Sequence, residues 1–166
     1  MRDEEKHRHY QRAQQLVSEQ NFVAAVVAGA VATLLAALVY GAAVERWPFS
    51  FGFATAGVGT VVGFIMGIFG RGISTKFSVL AAMFTIAGCI LGNLFVRVWN
   101  RASPTSSFID VLQNTALSDL ARWSVAGLSP IYLVCWFVAV GAAMFLAKRP
   151  LSRSDRLAIG LYKARA

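Results

Sequence analysis

The sequence predicts an all-α, polytopic membrane protein: four transmembrane helices in an antiparallel bundle, plus an amphipathic interfacial helix between spans three and four. Three observations carry this. Hydrophobic residues make up 57% of the 166-residue chain and charged residues 14%, against about 45–50% and about 25% in soluble domains, and mean hydropathy is +0.57. Four uncharged apolar stretches each approach the ~20 helical residues that a bilayer core requires. Lys and Arg fall unevenly between the two sides that those stretches define.

The first stretch, 21–44, follows a charged segment of twenty residues and is longer than a signal-peptide h-region, so it reads as a retained signal anchor. Residues 1–20 have helix-forming composition, with Tyr10, Ala13, Leu16 and Val17 at helical spacing, and are expected to extend span one. The link from Glu45 to Ser50 is short enough to force a hairpin. Trp47 and Phe49 sit where amphipathic aromatics meet the water–lipid boundary, and Pro48 suits the start of the next helix.

The second stretch, 51–70, ends in the loop from Gly70 to Lys76, whose glycines permit the positive φ of a tight turn. Ser74 or Thr75 is placed to cap span three. The order of residues does not match a phosphate-binding P-loop. Arg71 and Lys76 are either topology charges on a turn or, with Lys148 and Arg149, ligands for a lipid headgroup.

The third stretch, 77–96, is followed by a connection of about thirty residues, long enough to carry structure of its own. Within it 108–123 reads as one amphipathic helix, with Ser107 and Asp110 in capping-box spacing. It is open to three roles: packing in the interface plane, contact with a partner, or a lid over a pore. The fourth stretch, 130–147, opens with Pro130 after a capping Ser129, and its large side chains direct it more toward lipid. Residues 148–166 form a basic tail with Ser152 and Asp155 in cap spacing; Leu157, Leu161 and Tyr162 are candidates to anchor it to the inner leaflet.

Orientation follows from the basic residues near the span ends. Arg2, Lys6, Arg8, Arg12, Arg71, Lys76, Lys148, Arg149, Arg153, Arg156, Lys163 and Arg165 share one side, twelve of the 16 in the chain. Arg46, Arg97, Arg101 and Arg122 share the other. Both termini are therefore expected in the cytoplasm. The net charge of +8 then reflects topology and attraction to anionic headgroups rather than nucleic-acid binding, for which no basic stripe on a soluble module exists.

Small residues at every fourth position let membrane helices approach closely. Span two has Gly59, Gly63 and Gly67; span three has Gly88 and Gly92. Span one has two adjacent stripes, one running Ala25, Gly29, Thr33, Ala37, Gly41 and the other Ala24, Ala28, Ala32, Ala36. Two stripes exceed the needs of one neighbour, so they serve either packing within the chain alone or, in addition, a second partner, another protomer or another membrane protein.

The chemistry of an enzyme is missing from this pattern. The four spans hold no ionisable residue that would mark a proton or ion path. His7 and His9 lie on the polar N-terminal segment, and Cys89 and Cys135 behave as small apolar residues inside spans, so no cofactor or metal is expected. Asn93 shares a face with Thr85 and Cys89; a buried Asn must find a hydrogen-bond partner, which is either a neighbouring helix or a polar cavity.

The block from Gly63 through Leu94, with GRGISTKF followed by GCILGNLF, together with Glu19, Gln20, Asn21 and Phe22, resembles a family of small bacterial four-span inner-membrane proteins. That family's last span opens with an Asp near the Pro, where this chain has Ile131 and Tyr132. The resemblance implies a bacterial inner-membrane location and four spans, and it carries no activity. The expected function is a non-enzymatic scaffold or complex subunit assembled through small-residue ridges; the alternative is an oligomeric passive channel for a small solute.

Overall fold

A computed structural model describes residues 3–47, 51–102, 107–125 and 130–163. Among these the chain forms eight helices and no strand. In order they are α1 (Asp3–Ser18), α2 (Phe22–Arg46), α3 (Phe51–Gly70), α4 (Thr75–Trp99), α5 (Phe108–Asn114), α6 (Leu117–Val125), α7 (Pro130–Leu146) and α8 (Arg153–Lys163). Pro48, Phe49 and Ser129, assigned turn and cap roles above, lie outside the described residues.

The helix boundaries have local causes. Asn21 caps α2, its side-chain oxygen accepting from the Ala24 amide at 2.9 Å. That cap corrects the expectation that 1–20 extends span one, because the chain breaks over Glu19–Asn21 and α1 is a separate helix. α3 ends in a left-handed residue, as many helices do. The residue is Arg71, at φ 46°, and not a flanking glycine as expected. Gly70 and Gly72 are instead kept small by Phe77, whose ring would meet a Cβ at either position. Ser74 holds the N-cap position of α4 without a side-chain cap bond.

In the connection after α4 the capping box forms as read: Ser107 accepts from the Asp110 amide, and Asp110 accepts from Ser107. Those bonds, the side-chain one first, hold the Asp110 carboxyl below its usual pKa. The single helix expected over 108–123 is in fact two. Asn114 and Thr115 donate side-chain hydrogen bonds back to the carbonyls of Asp110 and Val111, and Thr115 adopts an extended backbone. Such local bonds compete with helix continuation.

Three helices meet the length and composition needed to cross a membrane: Phe22–Val44, Gly52–Gly70 and Thr75–Trp99. By length and composition this gives three spans where four are expected. α7 is strongly apolar but has only 17 residues, about 25 Å of helix against a core of ~30 Å.

These apolar helices form one bundle. α3 and α4 pack together at its centre, with α2 on one side of that pair and α7 on the other. α2 and α4 run parallel, pairing Gly29 with Phe84 and Gly41 with Phe95. α3 and α7 also run parallel, pairing Gly59 with Ala139 and Gly63 with Ala143. α3 runs against α2, bringing the Gly70 carbonyl to the Asn21 amide at 3.1 Å. We call the end where α2 starts and α3 and α7 finish the proximal end; α1 and α8 both attach there, and α5 and α6 sit at the distal end.

The interior is built from small residues, with Tyr40, Val58, Val62, Met66 and Phe77 as its larger members. The exterior carries the bulk: Val23, Val39, Phe53, Phe137 and Phe145 are all more than two-thirds exposed. A water-soluble fold could not leave so much apolar surface uncovered. Close contact between small residues inside, with large apolar side chains outside, is how helices associate in lipid. The chain is a membrane protein.

Candidate functional site

The glycines singled out from the sequence are all consumed inside the bundle. A Cβ on Gly63 would lie 2.6 Å from the Ala143 Cα, and one on Gly67 2.5 Å from the Leu146 carbonyl oxygen; Gly59 is closer still to the Ala139 backbone. Gly29 receives the Phe84 ring, Gly88 the Val58 side chain and Gly92 the Tyr40 ring. The two stripes of α2 serve two neighbours, α3 and α4, both within the chain: Ala25, Thr33 and Ala37 of one and Ala32 and Ala36 of the other are buried. Sequence spacing identified the stripes but not what they meet.

The polar face of α4 is also interior. Thr85 and Cys89 are fully buried, and the Thr85 hydroxyl has no hydrogen-bond partner among the described residues. Asn93 donates to the Ser124 carbonyl of α6 at 2.7 Å. Between the two alternatives for this residue, the structure gives it a neighbouring helix. α5 and α6 are fastened to the same end of α4 by aromatic contacts. Phe108 packs against Phe95 and Trp99, and the Arg101 guanidinium lies 3.9 Å from the centroid of the Trp123 ring.

The proximal end gathers the charged groups. Arg71, Lys76, Lys148 and Arg149 all lie where α3 ends, α4 begins and α7 ends. Arg149 is the fixed one. Its guanidinium donates to Glu19 at 2.7 Å and its amide to the Gly72 carbonyl at 3.0 Å. Gln20 accepts from the Ile73 amide alongside. The Glu19 carboxyl is held below its usual range, first by the hydrogen bond from Arg149, which outweighs the opposing effect of burial, and then by the charges of Arg149, Arg71 and Arg12. Arg71 and Lys76 are exposed.

Beyond this clasp α1 and α8 pack on each other. Tyr10 and Tyr162 rings meet at 5.3 Å between centroids, and Arg12 pairs with Asp155 at 3.2 Å. Ala13, Leu16 and Ala158 are buried between the two helices. Asp155 is lowered by the Ser152 hydroxyl first and Arg12 second. Tyr162 is thus occupied by α1, whereas Leu157 is exposed; the Leu161 side chain lies outside the description. The pairing was not legible from sequence, although Tyr10, Ala13 and Leu16 lay on the stripe identified there. His7 and His9 lie on α1, and no cluster of three or more His, Cys, Asp or Glu side chains forms among the described residues.

A groove of about 680 Å³ opens beside the clasp, between the proximal halves of α3 and α7 and under the start of α8. Lys148, Arg149 and Arg156 edge it; Arg71 and Lys76 do not. Arg156 carries no such signal in the sequence, because it lies in the tail, ten residues past the end of α7, and only the folded position of α8 brings it to the groove.

Compared with known proteins, the chain matches no family model, no curated protein and no solved structure. Its functional reading rests on this geometry.

Proposed function

We propose that the chain is a non-enzymatic scaffold or subunit of a bacterial inner-membrane complex, with both termini cytoplasmic, and that it engages its partner through the α1–α8 pair. The observation that carries the reading is the attachment of a polar 16-residue helix at the proximal end. α1 is held over residues 10–16 by α8, and the residue after its end, Glu19, is held by Arg149. An exposed polar helix so fixed offers a docking surface at little ordering cost. The intramembrane glycines, spent on internal contacts, leave this end as the better assembly surface.

In this reading α7 makes a fourth crossing, since it runs parallel to α3 as an even-span topology requires. Its shortfall of about 5 Å is accommodated by local thinning of the bilayer. The proximal end, with its excess of Lys and Arg and both terminal helices, faces the cytoplasm. Asn93, a candidate for lining a polar cavity, spends its amide on the Ser124 carbonyl, which supports the scaffold reading.

Native mass spectrometry of the full chain, released gently from its own membranes, tests the proposal. A second polypeptide or a homo-oligomer is expected, lost when the exposed α1 residues Gln11 and Gln14 are both changed to Glu. A bare monomer, or an assembly indifferent to that change, refutes it.

A further inference from the structure

We infer that the proximal α3–α7 groove is a specific site for one anionic phospholipid, with an acyl chain along its floor and the headgroup phosphate between Lys148 and Arg156. The groove follows from the glycine ridge. Gly67 brings the α3 backbone against the end of α7 and leaves a furrow flanked by Phe64, Ile68 and Phe145. All three are more than half exposed on the bundle's lipid-facing side, so the floor is reached from within the bilayer and not from water.

The rim is charged and its charge is uncancelled. α7 ends at Leu146, and Arg156, near the start of α8, returns to line the same groove. The carboxylates nearby are committed: Glu19 to Arg149, and Asp155 to Arg12. Lys148 and Arg156 have no carboxylate partner among the described residues, while Arg149 is fixed in place by Glu19 and Gly72. An apolar furrow that ends in two unpaired cations matches an amphiphile with an anionic head, and an acyl chain in such a furrow adds apolar burial that a free phosphate lacks. Arg71 and Lys76 carry the same charge at the same end without a furrow, which makes them the natural control.

The experiment is native mass spectrometry of the full chain in mild detergent, supplied with equimolar phosphatidylglycerol and phosphatidylcholine. One phosphatidylglycerol is expected to be retained in preference. The double variant K148Q/R156Q should retain it about 30-fold less, as two juxtamembrane cations imply, and R71Q/K76Q should stay within about twofold of wild type. Ile68→Trp, which fills the floor at constant charge, should also reduce retention. Equal retention of the two lipids, or equal loss in the two double variants, would mean diffuse attraction and overturn the site. Unchanged retention in Ile68→Trp would overturn the acyl-chain floor.

Discussion

Gly63→Ala is the sharpest test of how this bundle is held together. The new methyl carbon would stand 2.6 Å from the Ala143 Cα and 2.7 Å from its carbonyl oxygen, where ordinary contact begins at 3.4 Å. No side-chain adjustment relieves the overlap, because a methyl group has no rotamer and the atoms it meets are the Ala143 backbone. α3 and α7 must therefore separate by about 0.8 Å. A gap of that size forfeits between a quarter and a half of the dispersion well for the atoms along the seam. Overpacking of this kind costs roughly 2–3 kcal/mol, and helix propensity returns up to ~1 kcal/mol, leaving a net loss of about 1–2 kcal/mol. Gly57→Ala supplies the control on the same helix. A Cβ there meets nothing within 4 Å, so only the propensity gain remains. Reversible unfolding of both variants in mixed micelles should separate them by about 2–3 kcal/mol, and size-exclusion chromatography reads assembly in the same samples. If the two variants are equally stable, the seam is not the close contact described. If Gly63→Ala dissociates a larger assembly while monomer stability is unchanged, the ridge faces a second chain and not α7.

Three other outcomes follow from the geometry. Asn93→Ala removes the bond to the Ser124 carbonyl; a loss of ~0.6–1.7 kcal/mol is expected, with hydrogen exchange accelerating in 117–125 and not in α2. Arg71→Gly should raise the unfolding midpoint by the equivalent of about 1 kcal/mol, since an L residue in the left-handed region carries that penalty and glycine does not; a fall would mean that the Arg71 side chain contributes more than its backbone costs. The folded-state carboxyls of Glu19 and Asp155 are lowered by their partners, so the stability they confer is fully present above their ordinary values near pH 4 and is lost as pH falls through the lowered folded values. Proteolysis between α7 and α8 should accordingly accelerate on acidification below about pH 4, and Glu19→Gln should remove part of that dependence while raising cleavage at neutral pH.

Much of this architecture was legible because the relevant signals are local. An uncharged run of twenty residues announces a helix in lipid wherever its neighbours lie, and the Ser107–Asp110 box closes within one turn. Arg12 and Asp155 stand 143 residues apart, and neither carries a signal that it will meet the other. The same limit applies to the glycine ridges. Spacing of four establishes that one face of α3 is flat, whereas the identity of the helix lying on it depends on how the chain returns. The doubled stripe of α2 shows the consequence: spacing alone leaves open whether it serves internal packing or a second molecule, and in the fold α3 and α4 of the same chain both lie against α2. The break at Thr115 was missed for a different reason. Apolar periodicity continues through it, and only the side-chain bonds of Asn114 and Thr115 to preceding carbonyls outweigh that periodicity.

The distribution of polar contacts then bears on what the bundle is for. Inside the membrane region the helices meet through small residues and few hydrogen bonds, such as Thr33 and Ser78 to the backbone carbonyls of Phe84 and Met144. Bonds of that kind contribute modestly in lipid, where close packing supplies most of the association. The ion pairs between helices among the described residues lie at the proximal end, where Glu19, Arg149, Arg12 and Asp155 fix two further helices against the bundle. Ion pairs this exposed contribute little to global stability. Their effect is on geometry: they set where the polar face of α1 points and where Arg156 sits over the lipid-facing furrow. An end positioned by contacts that add so little stability is better explained by what it presents than by what it holds together.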